Sequence, residues 1–436
     1  MIFTAENNIN MNVKQIKPNE NINNSRYKNI QANKNNRGKR NKKQIKNILI
    51  IIACIILFII AVILLANNQP QKKNQKLMGF SFMENEKFGL MDKSGKVLIS
   101  AIYDERIYSF SEKLAVVVLN GKCGYINKSG AQKIKISFDS ASAFSEKLAA
   151  VSTDGLFGYI NTKGDFEIKP QYDSAYSFSG GLAAVKIGGL WGYIDKNNII
   201  KINPQYDAAR SFSNGLAAVQ KNGLWGLINK KGRLITEIEY EDISKSFDSS
   251  LIWAKKDGLY GCIDKSGKIK IPFEYRAAGI FSENLCRVCE NNLFGYIDKN
   301  DNFIIKAAYL KASDFSEGLA FVIENNANSA ADSPGLYCVI NKKGDKIIDA
   351  QFLNFRNFKN GNAAVSIGDK WGVIDKKGRY IINPRYDAIS DLESGLAIVR
   401  QGNKVGVVNK KDEIVIDIKY DNNDTYNYYG LSMVME

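Results

Sequence analysis

The side chains able to do chemistry are few, and their spacing argues against most of it. The chain has 436 residues and no histidine, which removes Ser-His-Asp and Cys-His catalysis and imidazole metal sites. Cys286-x-x-Cys289 has the spacing of a redox or zinc half-site. It falls in a stretch that reads as a strand, where residues three apart face opposite sides and the thiols diverge. Without a second such pair, small buried residues are the better reading for Cys123, Cys262, Cys286, Cys289 and Cys338. Asp298-x-Asn300-x-Asn302 outlines a calcium loop, but Phe303 stands where glycine is required and Tyr309 where glutamate would close the site. It reads as a hairpin turn. No phosphate-binding glycine loop is present, and no metal, cofactor or catalytic residue is expected.

What remains is binding chemistry. Trp191, Trp225 and Trp371 recur at one position, and Lys196, Lys230 and Lys376 recur in turns; together they form the candidate ligand surface. With Lys93, Lys128, Lys163, Lys265, Lys299, Lys342 and Lys410 there is about one turn lysine per repeat. Pointed one way, they would make a basic edge suited to an anionic polymer or lipid headgroups. The competing reading is that they solvate turns and protect strand edges.

The elements that place these residues are copies of one unit. Aligned on Gly89, Gly124, Gly158, Gly192, Gly226, Gly261, Gly295, Cys338, Gly372 and Gly406, eight of nine intervals are 34 or 35 residues, and the other is 43. Within Gly181 to Gly215, Leu182–Lys186 reads as strand A and Trp191–Asp195 as strand B. Asp195-Lys196-Asn197-Asn198 is a hairpin turn, and strand C spans Ile199–Ile202, ended by Pro204. A connector with a possible short fourth strand follows. Strand A carries small residues on both faces, which suits close approach of neighbouring sheets. The aligned glycine would let another backbone or a ring press on strand B. Aromatic columns (Tyr172, Tyr206, Tyr386 and equivalents; Phe144, Phe178, Phe212 and equivalents) read as repeated core rather than a ligand ladder.

The core G-[LK]-W-G-[YVL]-I-[DN]-K-x-G, with Pro-x-Tyr-Asp and Phe-Ser-x-Gly-Leu-Ala-Ala-Val, resembles the bacterial WG (or KWG) repeat. The likeness is strongest at Gly189–Gly215, Gly223–Lys231 and Lys370–Gly395, and weaker copies cover residues 79–436. Departures are Cys338 for the glycine, Val405 for the tryptophan and the ragged connector at Asp421–Tyr429. The resemblance implies a β-rich interaction module with no catalytic residues to carry over. The expected fold is all-β: about ten units of three short antiparallel strands in an open superhelical array, with a closed multi-bladed propeller as the alternative. A-like strands number eleven against ten B–C pairs, so a surplus terminal strand would cap an open array or seal a ring.

Of 60 Lys/Arg, fourteen precede the repeats with two of the 45 acids, leaving 46 basic and 43 acidic residues in a nearly neutral array. Residues 1–47 are expected to be a disordered basic cytoplasmic tail, 67–77 a polar linker and 78–436 the array. Residues 48–66 are nineteen apolar positions, about 28 Å as a helix, and read as a single transmembrane span. Lys39, Arg40, Lys42, Lys43 and Lys46 flank it, orient the N-terminus inward and are candidate contacts to anionic lipid. A cleaved signal peptide and a lipobox at Cys54 are the competing readings, disfavoured by the long preceding segment and the apolar residues after Cys54. The functional expectation is a non-enzymatic, membrane-tethered extracytoplasmic scaffold binding a protein or an envelope polymer, without nucleic acid as partner. A transmembrane sensor and, remotely, an envelope hydrolase are the alternatives.

Overall fold

In the computed structural model, residues 76–244, 250–325, 335–422 and 431–435 are described, all within the compact unit Asn74–Glu436. Each repeat is one small antiparallel sheet. In repeat 4, strand A (Leu182–Ile187) pairs with strand B (Leu190–Asp195), and B with strand C (Ile200–Tyr206). A two-residue strand, Ser174–Ala175, adds to the other edge of A and arrives directly from strand C of the preceding repeat. Strand C thus runs past Pro204, against expectation. Trp191 faces Tyr206 and Tyr193 faces Ile202, so Asn203, Pro204 and Gln205 bulge opposite Gly192 alone. A proline needs no ladder donor in a bulge on an edge strand.

That bulge explains the aligned glycine. A Cβ at Gly192 would sit 2.5 Å from the Ile202 carbonyl oxygen and 2.7 Å from Pro204 N. Gly158 and Gly372 meet the same wall, at 2.5 Å from Ile168 O and from Ile382 O. The expectation of a backbone pressed onto strand B holds, and the backbone is the repeat's own strand C.

Cohesion lies between blades. One face of repeat 4 (Leu182, Ala184, Tyr193, Ile202, Tyr206) packs with Phe212 on Ala217, Val219 and Ile228 of repeat 5. Its other face (Ala183, Val185, Ile194) receives Ala150, Tyr159 and Ile168 of repeat 3. The small residues on both faces of strand A have this purpose. Tyr193 is fully buried, and its hydroxyl donates to the Arg210 carbonyl at 2.8 Å. Tyr125, Tyr159 and Tyr296 make the equivalent bond. Most of both aromatic columns is core: Tyr172, Tyr206, Phe178 and Phe212 are all buried.

The open array is overturned. The last strand, Leu431–Met435, pairs antiparallel with the first, Leu77–Glu84. Leu77, Phe80, Phe82 and Met91 of repeat 1 share a core with Ile398, Val405, Val407 and Ile416 of repeat 10. A Cβ at the turn glycine Gly95 would lie 3.1 Å from Ile416, as one at Gly164 lies 3.1 Å from Ile134 in the preceding repeat. The contact between repeats 10 and 1 therefore matches the others, and ten blades close into a ring. The surplus strand seals it. Closure wins because an open array would leave an apolar sheet face bare at each end.

The expected transmembrane helix gains no support. Residues 48–66 lie outside the described residues, as do the tail and Lys39–Lys46, and the described residues contain no helix. The 43-residue interval comes from an insertion expected at residues 325–334 of repeat 8, which lies outside the described residues from 326 onward.

Candidate functional site

Because the ring closes, equivalent turns fall on common circles. The turn between strands B and C is built by its first residue: Asp195 Oδ1 accepts the amides of Asn197 at 3.0 Å and Ile199 at 2.9 Å. Asp298 does the same with Asn300 and Asn302 at 2.8 and 2.9 Å, so the candidate calcium loop is a turn. Among the described residues no cluster of three metal-ligating side chains occurs. In Asp264 the Ser266 hydroxyl, two turn amides and Lys270 outweigh desolvation and bring the carboxyl down to about 2.

The second turn residue is lysine in nine repeats and Thr162 in the remaining one. Lys196 reaches back to the preceding blade, where its Nζ stands 3.0 Å from both Oε2 and the carbonyl oxygen of Glu146. Lys342 with Glu283 (2.8 Å) and Lys376 with Glu317 (3.1 Å) repeat the tie. Each glutamate also accepts a backbone amide from the blade ahead: Gly181, Gly318 and Gly361. Partial burial works against ionisation, yet the lysine and the amides together hold all three carboxyls below the usual value. Lys230 is different. Gly180 replaces the glutamate, and the Lys230 ammonium lies 3.1 Å from where its Cβ would be, with no acid paired to it among the described residues.

The tryptophans are occupied as well. Trp191 is 9% exposed and stacks on Tyr176, centroids 4.8 Å apart. The Arg210 guanidinium lies 4.2 Å over Trp225, and Trp371 is half-buried against the core of blades 9 and 10. So of the six candidate surface residues, Lys230 alone presents an uncommitted charged group, and the tryptophans do not form one exposed platform. All five described cysteines are buried and free. Burial pushes Cys123 and Cys338 up to about 11 and raises Cys262 and Cys286 further still.

Sequence reading missed two inter-element devices. The aspartate of a Tyr-Asp pair braces the A–B hairpin of the next blade in four cases, Asp104, Asp173, Asp207 and Asp387: Asp387 accepts Gly402 N of the next blade at 2.6 Å and also holds Lys370 Nζ of its own blade at 2.6 Å. The serine of Phe-Ser donates to the next blade's phenylalanine carbonyl, Ser145 to Phe178 at 2.8 Å and Ser179 to Phe212 at 2.6 Å. Their recurrence was the available signal. Also unforeseen is a cavity of about 270 Å³ between blades 6 and 7, lined by Asp242, Trp253, Tyr260, Ile280, Arg287 and Asp314. Arg287 is committed to Asp314 at 2.9 Å and to the Ala312 carbonyl at 3.0 Å.

A closed ring of short sheets whose recurrent polar groups tie blade to blade defines a repeat scaffold. The chain belongs to the WG-repeat family: the description "WG containing repeat" matches ten consecutive segments, 88–123, 124–157, 157–191, 191–225, 225–260, 260–294, 294–326, 337–371, 371–404 and 406–436. Among curated proteins none matches. Three solved structures are similar at a low level. A eukaryotic initiation factor is 10% identical, with 82% of this chain and 98% of that one covered and a TM-score of 0.44. PorZ of Porphyromonas gingivalis is 14% identical over 73% of this chain and 52% of its own, TM-score 0.26. Hsv2 of "Kluyvelomyces marxianus" is 10% identical over 50% and 87%, TM-score 0.30. At such scores the likenesses carry no argument about function.

Proposed function

We propose that this protein is a non-enzymatic binding scaffold, a rigid ring that presents repeated surface to another protein or to a cell-envelope polymer. The observation behind the reading is the commitment of polar side chains to the fold. Serines, tyrosines, aspartates and several of the paired lysines tie blades together, as in the Lys196–Glu146 and Ser179–Phe212 contacts. What stays available is turn surface, on circles set by closure. Repeat proteins use surface of this kind for recognition. The uncharged run at 48–66, with cations before it, favours tethering to a membrane with the ring on the outer side.

Two measurements test this. The full chain, expressed in cells and fractionated, should sediment with membranes and resist alkaline extraction, and a form lacking residues 48–66 should be released. Sedimentation unchanged by that deletion would end the tethering reading. Purified full chain should retain a defined protein or polymer from envelope extracts; retention of nothing above a heat-denatured control would end the scaffold reading.

A further inference from the structure

We propose that the B–C turns of blades 5 and 6 form a binding arc for a linear polyanion, a polymer carrying regularly spaced phosphodiester or carboxylate groups. This rests on the scaffold reading and names its surface and ligand chemistry. The argument begins with which turn lysines are already neutralised. Lys196, Lys342 and Lys376 are held by glutamates of the preceding blade at 3.0, 2.8 and 3.1 Å. At the corresponding places before blades 5 and 6 stand Gly180 and Asn214, so Lys230 and Lys265 have no such acid and, among the described residues, no ion pair.

The two adjacent turns read Asn229-Lys230-Lys231-Gly232-Arg233 and Asp264-Lys265-Ser266-Gly267-Lys268. Their five cations are all exposed. The single carboxylate, Asp264, is turned into its own loop, accepting Ser266 N at 2.8 Å and Lys268 N at 3.1 Å. Closure sets the turns side by side on one circle, and their backbones are fixed, since Asn229 Oδ1 accepts Lys231 N at 2.9 Å and Arg233 N at 3.1 Å. Leu234 and Ile269 directly follow the cations and are 47% and 54% exposed, apolar surface for a polymer backbone. A preorganised row of unpaired cations attracts a polyanion by releasing its counterions. The uneven distribution favours a polymer over a bilayer. A flat membrane would engage the whole circle, whereas blades 4, 8 and 9 have their lysines taken, and a chain molecule tracks a short arc.

The test uses the purified full chain with fluorescently labelled long-chain inorganic polyphosphate and with alginate, read by anisotropy across a salt series. Lys230→Gln, Lys231→Gln, Arg233→Gln, Lys265→Gln and Lys268→Gln combined should weaken binding at least about tenfold and flatten the slope of log K against log salt by about 4. Lys196→Gln with Lys342→Gln and Lys376→Gln should change affinity less than about twofold while lowering the melting temperature. Equal losses from both sets would overturn the assignment. So would binding to vesicles containing anionic phospholipid in preference to either polymer. Retention of an envelope component by wild-type chain, with no saturable binding of polyphosphate or alginate, would leave the scaffold standing and remove the arc.

Discussion

At the scale of single residues, the repeats exchange volume across paired positions. Ala184 pairs with Tyr193 in repeat 4, but Trp253 pairs with Cys262 in repeat 6, where both sit in one core. The large ring moves from strand B to strand A, and Cys262 is the small half of the swap. Trp253→Ala should therefore cost about 3–5 kcal/mol, and Cys262→Tyr about 1–3 by overpacking. The double variant should recover much of the loss, since it recreates the pair found in repeat 4. Chemical denaturation of all four proteins gives the coupling; additive losses would refute the exchange. Gly192→Ala tests the bulge, because its Cβ has backbone on the far side at 2.5 Å. A loss above about 1 kcal/mol is expected, and a neutral result would mean strand C can move away. Burial keeps Cys123 and Cys338 protonated until about 11, so neither should react with a disulfide reagent at pH 8 until the protein unfolds. Burial in the protonated form is stabilising while the unfolded thiol is also neutral. That contribution is full below the ordinary thiol value and fades as pH rises towards about 11.

At the scale of elements, turns and inter-blade ties respond to acid. Asp92, Asp195, Asp264, Asp298 and Asp375 all have depressed values, largely from hydrogen bonds in their own turns, and Asp264 reaches about 2. Depressed carboxyls stabilise the fold above the unfolded value and lose that effect as pH falls. Stability should therefore decline from about pH 4 towards pH 2, measured by denaturant midpoints. Midpoints constant across that window would contradict the turn assignments. Strands A and B and the hairpin turn were legible from periodicity and turn residues. Strand C beyond Pro204 was not, because a proline that ends a ladder and one that sits in a bulge look alike in sequence. The partners of Lys196 and Lys376 were equally hidden. Glu146 and Glu317 lie 50 and 59 residues earlier, a separation only blade stacking makes short.

At the scale of the whole molecule, the closing strand is the critical element. Deleting residues 431–436 removes the partner of Leu77–Glu84 and uncovers part of the core shared by repeats 1 and 10. Thermal unfolding of the truncated chain should begin at lower temperature and lose cooperativity, because an opened ring frays from two ends as a linear array does. Its hydrodynamic radius should grow in scattering. An unchanged melt would mean the seam contributes nothing to stability.

The sequence alone determined the repeat, its strand pattern, the small residues of strand A and the core status of the aromatic columns. Each follows from local side-chain alternation, turn chemistry or composition, which a single copy displays. Closure, the bulge over Gly192 and the division of turn lysines into paired and unpaired were decided by tertiary structure. All three depend on how one blade is rotated onto the next, a small angle that accumulates over ten steps and that no residue of an individual repeat encodes on its own.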